Sequence, residues 1–351
     1  MEPKDKFRIP SPETDVIATL IDWLDGGHEA ALATVIFTWG SSPCPAGSHL
    51  AIRGDGAIIG SVSAGCVESA VIHEAMEAIN GAPPQVCEYG VTGEMAWQVG
   101  LACGGEIRVL VHRVDDGAVL RREARKRVEE GLSSSLVTRI SDGTSALIGD
   151  GMKSGPLEVS GDLSEAALEA AFENRNHVFE IAEDSYFIEA VTPPKRLIII
   201  GAVHIAQALV PLARISGFQV VVIDPRETFA TPERFPGVET RTDWPEQALD
   251  DLVVNDRTAV VVLTHDAKID DPVLRAALAS PAFYVGALGS RKTQEKRTLR
   301  LEDLGLGAGD LARLHGPIGL DIGSKSPAEI AVAILAEIIQ EMHQGAKPKI
   351  R

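Results

Sequence analysis

Hydrophobic and polar positions follow two different regimes along this chain. In the first third, helical and strand periods are interleaved. DVIATLIDWLDGG sets Val16, Leu20, Trp23 and Leu24 on one helical face and ends at Gly26 and Gly27. ALATVIFTW, with its β-branched and aromatic residues, predicts a strand, and the turn-rich GSSPCPAGS follows it. HLAIRGDGAIIGSV predicts two short strands around the turn from Arg53 to Gly56. CVESAVIHEAMEAING predicts an amphipathic helix closed by Gly81 in the C′ position, and GGEIRVLVHRV supplies a further strand.

The middle of the chain is less distinctive. A charged helix (LRREARKRVEEG) precedes the strand-like SLVTRI and SALIG, a helix (LSEAALEAAFE) and a hairpin (HVFEIAEDSYFIEAV). The charges from Arg121 to Glu130 read as a solvated helix face, and no repeat is visible in the sequence. Thr192-Pro193-Pro194-Lys195 is the clearest linker, because paired prolines interrupt both helix and sheet.

Beyond it the second regime begins. RLIII, FQVVVID, TAVVVLT and AFYV are nearly continuous apolar runs, alternating with helices such as HIAQALVPLARISG and DPVLRAALAS. Such strands suit a parallel sheet covered on both faces, the doubly wound arrangement. Ser326, Pro327 and Glu329 mark the start of a last helix, PAEIAVAILAEIIQEM, as N-cap, N1 and capping-box residues. The expectation is an α/β protein: an N-terminal α/β domain over 1–115, a connecting α+β segment over 116–192, and a Rossmann-like domain with a mostly parallel sheet over 193–351.

Composition narrows the partners. The 351 residues allow two cores, and 45% of them are hydrophobic. Fifty acidic against 33 basic residues give a formal net charge of −17, which argues against nucleic-acid backbones and anionic membranes. With neither a signal-peptide core nor a run of roughly 18 apolar residues, the chain is expected to be soluble and cytoplasmic. The cysteines, Cys44, Cys66, Cys87 and Cys103, show no C-x-x-C spacing and are expected to be free thiols in the first third.

GAVHIAQALV follows an apolar strand and opens a helix, the context of a dinucleotide-binding turn. Gly201 suits the tight turn, and Asp224, at the end of the next strand, stands where an acid accepts from a ribose hydroxyl. Val203 and Ala206, however, occupy the second and third glycine positions, and His204 adds an imidazole. Three other loops are expected at the same crevice: Thr264-His265-Asp266; GALGSRK with Gly286, Gly289, Ser290, Arg291 and Lys292; and GPIGLD with Gly319 and Asp321. Backbone amides with Arg and Lys suit anions. Lys296, Arg297 and Arg300 read as an exposed helix face.

In the first third, GSVSAGCVESA places Cys66 in the first turn of a helix, where the dipole favours a thiolate, with Glu68 partly opposing it. LACGGEI sets Cys103 before Gly104 and Gly105. A buried structural cysteine explains Cys66 equally well, and neither thiol has a histidine base beside it in sequence.

Together, GSSPCPAGSHLAI, GSVSAGCVE, LACGG, GAVHIAQAL, VVVIDPR, LTHD, YVGALGSRKT and GPIGLDIGSKSPAEIAVAILAEI closely resemble the XdhC and CoxI family. The resemblance implies a chaperone that binds the molybdenum cofactor, protects it while a cysteine desulfurase partner supplies sulfur, and delivers it to a molybdenum hydroxylase apoenzyme such as xanthine dehydrogenase. It implies an XdhC-like N-terminal domain, a C-terminal Rossmann domain and a homodimer, with more a carrier's role than a catalyst's. Carried over by residue, Gly65, Cys66, Glu68, Cys103, Gly104 and Gly105 match the N-terminal motifs. Gly201, His204, Asp224, Arg226, His265, Asp266, Gly286, Gly289, Ser290, Arg291, Gly319 and Asp321 match the Rossmann motifs. Family members commonly carry glycine where Val203 and Ala206 stand, and a basic residue in place of Cys44.

A carrier of molybdopterin, in mononucleotide or dinucleotide form, needs an anion cradle and a soft thiolate near the metal. Cys103 or Cys66 is the expected thiol, and the Rossmann crevice is expected to hold the phosphate or a nucleotide. The alternatives are an NAD(P)-dependent oxidoreductase with His265 as proton donor, a sulfurtransferase with a persulfide on Cys66 or Cys103, and a scaffold without ligand.

Overall fold

The computed structural model describes residues 15–40, 44–65, 67–90, 105–114 and 117–344. They fall into two compact units, residues 1–193 and 194–351. The protein is an α/β chain whose second unit is Rossmann-like.

The first unit begins with α1 (Val16–Asp25), started by an Asp15 side chain that accepts from the Ala18 N–H at 2.9 Å. There follow β1 (Ala30–Trp39), β2 (His49–Arg53), β3 (Ile58–Gly60), α2 (Glu68–Ile79), β4 (Gln85–Tyr89) and β5 (Glu106–Arg113). All pairings are antiparallel, in the order β3-β2-β1-β5-β4. β1 is apolar almost throughout because both of its faces are covered. Ala31, Ala33 and Val35 pack with Val71 and Ala75 of α2, while Ala30 and Leu32 pack with Leu20 of α1.

Residues 117–191, read from the sequence as a connecting segment, repeat this plan. They form α3 (Gly117–Glu129), β6 (Ser134–Arg139), β7 (Ser145–Gly149), β8 (Met152–Ser154), α4 (Gly161–Glu173), β9 (His177–Ile181) and β10 (Asp184–Val191). The sheet order β8-β7-β6-β10-β9 is again antiparallel and is the order of the first sheet, strand for strand. Matching glycines follow or end the third strands. Gly60 (φ 90°) and Gly155 (φ 109°) each leave no room for a Cβ, which would strike the backbone carbonyl that opens the second strand, His49 or Ser145. The next atom in the way belongs to the preceding helix, Val16 in one case and Leu120 in the other. The first unit is therefore a tandem of two modules of one topology, a repeat whose signal lies in turn geometry rather than in similar residues.

The modules join through a small apolar cluster of Ile36, Leu110 and Phe187 and through polar contacts: Asn176 Nδ2 donates to the Ala46 carbonyl at 3.0 Å, and His49 Nε2 meets Glu189 Oε1 at 2.9 Å. Arg121 belongs to this seam. Expected on a solvated face, it is only 6% exposed, because the helix turns Ala118, Leu120, Arg121 and Ala124 toward the modules.

The second unit comprises β11 (Arg196–Ile200), α5 (His204–Ile215), β12 (Gln219–Ile223), β13 (Glu239–Arg241), α6 (Pro245–Leu252), β14 (Thr258–Val262), α7 (Ala267–Ala279), β15 (Tyr284–Ala287), α8 (Arg291–Asp303), α9 (Ala308–Leu311), β16 (Leu314–His315) and α10 (Pro327–Gln344). Its six strands run parallel in the order β13-β12-β11-β14-β15-β16. Alternate residues of one strand feed opposite cores: Leu197 and Ile199 face α5 and α10 with Leu209 and Ile334, whereas Ile198 and Ile200 pack with Leu274 and Leu278 of α7. The order reverses between β11 and β14, where such sheets open a ligand crevice at their carboxyl ends. α10 starts with the capping box: Glu329 accepts from the Ser326 N–H at 2.9 Å, and the Ser326 hydroxyl accepts from the Glu329 N–H at 3.3 Å.

Arg297 also departs from its exposed reading. It is 1% exposed, with Nη2 3.2 Å from Asp270 Oδ2 and 3.0 Å from the Leu288 carbonyl, and Nη1 2.7 Å from Gln294 Oε1. Asp270 further accepts from the Thr264 hydroxyl, so one buried ion pair ties the loops after β14 and β15 together. Arg297→Met, which leaves Asp270 charged and without its cation, is expected to cost about 3–5 kcal/mol of stability. Arg297→Met with Asp270→Asn should recover most of it; urea unfolding followed by circular dichroism reads both, and equal losses in the two variants would refute the role of the pair.

Candidate functional site

The crevice of the second unit is built from the ends of five strands, β11, β12, β14, β15 and β16. Gly201, at φ 105°, bends the chain after β11 so closely to the next loop that a Cβ would lie 2.7 Å from Thr264 Cγ2. Only glycine fits there. The turn is held by Asp224, whose carboxylate is 0% exposed. Its Oδ2 accepts from the Ala202 N–H at 2.9 Å and from Arg226 Nη2 at 2.7 Å; its Oδ1 accepts from the Arg226 N–H at 3.0 Å and Nε at 2.8 Å. Burial works to raise the Asp224 pKa, but these donors outweigh it and hold it below the ordinary carboxylate value.

Four donors fill the lone-pair positions of a carboxylate. Asp224, expected to accept from a ribose hydroxyl, has its acceptor capacity spent inside the protein. The exposed partner is Arg226, whose guanidinium lies 4.1 Å above the Phe229 ring and also feels the charge of Asp266. The mouth of the crevice thus offers a cation where the sequence pattern suggests an anion.

Three helices begin at this edge. α7 is capped by Asp266, which accepts from the Lys268 N–H at 3.0 Å, and α8 by Ser290, which accepts from the Thr293 N–H at 3.2 Å. α5 has Val203 at its N-cap and no side-chain cap. Its first-turn N–H groups lack the acceptor that the other two helices carry, which suits a bound anion. Val203 is half-buried and packs against the core, and Ala206, in the first turn of α5, is fully buried in that core, where a small residue still permits close packing. His204, His265, Asp266, Arg291 and Lys292 are exposed around the loops.

On the far side, a Cβ on Gly286 would meet Ile318 Cδ1 at 2.6 Å, which brings the loop after β16 against β15. Gly289, at φ 151°, lies against Thr293. The Gly319 N–H donates to Glu337 Oε2 at 2.8 Å, and Tyr284 donates its hydroxyl to the same oxygen at 2.5 Å, so Gly319 is a support rather than an open donor. Asp321 is exposed.

The thiol loop of the first unit rests on Glu68. Its Oε1 accepts from the Ser61 hydroxyl at 2.6 Å and from the N–H groups of Val62 and Ser63 at 3.3 and 2.9 Å; its Oε2 accepts from the Ser63 hydroxyl at 2.5 Å and the Gly65 N–H at 2.9 Å. Against the opposing effect of burial, the two serine hydroxyls and the backbone N–H groups lower its pKa to about 2. Ala64 and Gly65, at φ 58° and 116°, take the left-handed backbone that this wrap requires.

Glu68 thus shapes the loop that leads to Cys66 rather than presenting a free carboxylate. Cys66, Cys103 and Gly104 lie outside the described residues, while Gly105 is buried just before β5. Two contributors escape the sequence reading, Ser61 and Ser63. Their signal is S-x-S followed by Glu68, visible only once the glutamate is known to fold back on its own turn. Cys44, its Sγ 4.0 Å from Ser61 Oγ, stands against the same loop. Among the described residues no three His, Cys, Asp or Glu side chains form a metal-binding group, and no helix is long and apolar enough to cross a membrane.

Residues 23–90 match the XdhC and CoxI family, and residues 197–338 match the XdhC Rossmann domain. A Bacillus subtilis protein named as a probable xanthine dehydrogenase subunit is 29% identical, over 92% of this chain and 96% of its own. The molybdenum cofactor insertion chaperone PaoD of Escherichia coli is 27% identical, over 98% and 93%. A crystal structure described as a xanthine dehydrogenase of Bacillus halodurans superposes with a TM-score of 0.78 at 26% identity, covering 95% of this chain and 98% of that one.

The Glu68 cradle has a pH signature. A carboxyl held at about 2 against an ordinary 4.5 stabilises the fold fully above about pH 4.5, and that contribution disappears as pH falls through the folded value. Glu68→Gln should lower the melting temperature at pH 7 and close the gap to wild type as the pH approaches 2. A gap that stays constant from pH 7 to pH 3 would show that the carboxylate is not the stabilising form.

Proposed function

Because this chain belongs to the XdhC and CoxI family, we propose that it is a carrier that binds the molybdenum cofactor, supports its sulfuration by a cysteine desulfurase and delivers it to a molybdenum hydroxylase of xanthine dehydrogenase type. The relative named as a molybdenum cofactor insertion chaperone aligns over nearly the whole chain, which supports the carrier role. A homodimeric state and a cytoplasmic place of work are carried over from the family likeness.

The observation that favours this reading over a nicotinamide-dependent oxidoreductase is the saturation of Asp224. Ribose recognition in such enzymes draws on a free acidic acceptor; here the acid is spent and Arg226 faces outward. Phosphate recognition needs only what the crevice has, namely the uncapped start of α5 with Arg226, Arg291 and Lys292 around it. In the proposal these groups hold the phosphate of molybdopterin in either of its forms. The remaining crevice positions, Gly201, His204, His265, Asp266, Gly286, Gly289, Ser290, Gly319 and Asp321, shape its walls.

The donor set of the first unit suits the other end of the molecule. A dithiolene-bound molybdenum centre is soft and is met by a thiolate. We assign that contact to Cys103 or Cys66, with the Glu68 cradle and Gly65 fixing the loop on one side. The chain's own residues bind, orient and shield; no catalytic turnover is assigned to them.

The test is anaerobic purification from cells that make the cofactor, with molybdenum and oxidised-pterin analysis. Wild type should carry both, Cys103→Ser or Cys66→Ser should lose most of the metal, and Arg226→Ala should weaken pterin retention by roughly tenfold, the loss of one charge-assisted contact. Calorimetric titration with NAD should show no binding. Wild type without metal or pterin would contradict the carrier reading. A persulfide on either cysteine after incubation with a desulfurase would point to sulfur transfer by the chain itself.

A further inference from the structure

Arg121 is buried at the seam between the two modules of the first unit, and most of its hydrogen-bonding capacity is unused there. Of its five N–H donors, one has an acceptor among the described residues: Nη1 reaches Glu189 Oε2 at a long 3.4 Å. Glu189 is meanwhile held more closely by His49 Nε2, at 2.9 Å. A guanidinium usually meets a carboxylate through two parallel bonds. The single long contact leaves the fork turned elsewhere.

The guanidinium borders two cavities. One, of about 180 Å³, is lined by His112, Asp142, Thr144 and Ser145 together with Arg121; the other, of about 280 Å³, has Ile17, Val128 and Glu189 in its wall. Several polar neighbours in the smaller cavity are already engaged. Asp142 accepts from Arg139 Nη1 at 2.8 Å and from the Thr144 N–H at 2.9 Å. The Ser145 hydroxyl is shared between Thr138 Oγ1 at 2.9 Å and the Gly143 carbonyl at 3.1 Å.

His112 is different. Its Nδ1 lies 2.9 Å from the Arg113 carbonyl, which can only accept, so Nδ1 carries the hydrogen. Burial, with the charge of Arg121 added, pushes its pKa down to about 4, so the ring is neutral at pH 7 and Nε2 presents a lone pair. The cavity therefore offers the donors of one guanidinium and, apart from the exposed Asp142 carboxylate, the His112 acceptor. That combination fits an oxyanion that retains one acidic hydrogen, as inorganic phosphate does near neutrality and a phosphate monoester does in its monoanionic form, about half-populated near pH 6.

We propose that this seam cavity is a binding site for a phosphate-class oxyanion, with Arg121 donating to its charged oxygens and His112 Nε2 accepting from its P–O–H. The site is separate from the crevice of the second unit and does not rest on the carrier reading. It draws His112 from the first module and Arg121, Thr144 and Ser145 from the second, so neither module forms it alone.

Calorimetry of the full chain with inorganic phosphate at pH 7, in phosphate-free buffer, tests it. Phosphate also suits the other crevice, so variants assign the sites. Arg121→Met alone strands Glu189, so Arg121→Met with Glu189→Gln is the main variant, its fold checked by circular dichroism. It should lose at least tenfold in affinity at one site that Arg226→Ala leaves intact. Sulfate, which has no hydrogen to donate at this pH, should bind that site about tenfold more weakly in wild type. Glycerol 3-phosphate is titrated at about pH 6, where roughly half of it keeps its P–O–H; binding as well as phosphate would mark a monoester as the source, and phosphate alone the free ion, and both uphold the site. Anomalous scattering from arsenate-soaked crystals, arsenate keeping one hydrogen near neutrality as phosphate does, gives a readout without variants, with a peak expected beside Arg121. Identical isotherms for wild type and the double variant, or a cavity without arsenate while the second unit's crevice is filled, would overturn the proposal.

Discussion

The hydrogen bond from the Ala202 N–H to the buried Asp224 carboxylate sets the geometry of the second unit's crevice. It joins the turn after β11 to the end of β12, across the pair of strands beside the reversal of sheet order. With the turn fixed, Gly201 must take its left-handed backbone against Thr264, and α5 must begin at Val203. The same carboxylate holds Arg226 by two side-chain contacts and stations its charge at the mouth. A charge buried so completely is tolerated because every lone pair is satisfied. Its cost in solvation is returned as rigidity, and its chemistry is passed to the arginine.

A related device shapes the first unit. Glu68 stands at the start of α2, where the positive end of the helix already favours an anion, and folds back over Ser61, Ser63 and Gly65. Both loops are thus positioned by carboxylates that do not themselves face a ligand. Preorganised loops of this kind lose little freedom when a ligand arrives.

Most of the fold was legible. The apolar runs of the second unit predicted a parallel sheet because burial on both faces removes alternation, and the Ser326 capping box marked its last helix. The loops at the carboxyl edge followed from sheet direction. What escaped was which side chains pair with which. Asp224 and Arg226 stand two residues apart, yet the pattern alone could not say that one neutralises the other. Arg121 and Arg297 sit in helices rich in charge, and only the tertiary partners Glu189 and Asp270 explain why these two turn inward while their neighbours do not. The tandem modules were hidden because topology tolerates almost any side chains that keep the faces apolar; a pair of strained glycines, Gly60 and Gly155, carries the likeness.

That tandem has a consequence for how the chain is made. Among the described residues, each of the three sheets is assembled from one stretch of sequence, with no strand lent to another sheet. Strand pairing therefore never waits for residues more than one module away, which keeps the entropy of closing each sheet modest. During synthesis the first sheet can close before the residues of the second have left the ribosome. The contacts across the seam, His49 with Glu189 and Ala46 with Asn176, link residues more than a hundred positions apart and require both modules. The cavity beside Arg121 thus comes into existence only when both halves are complete.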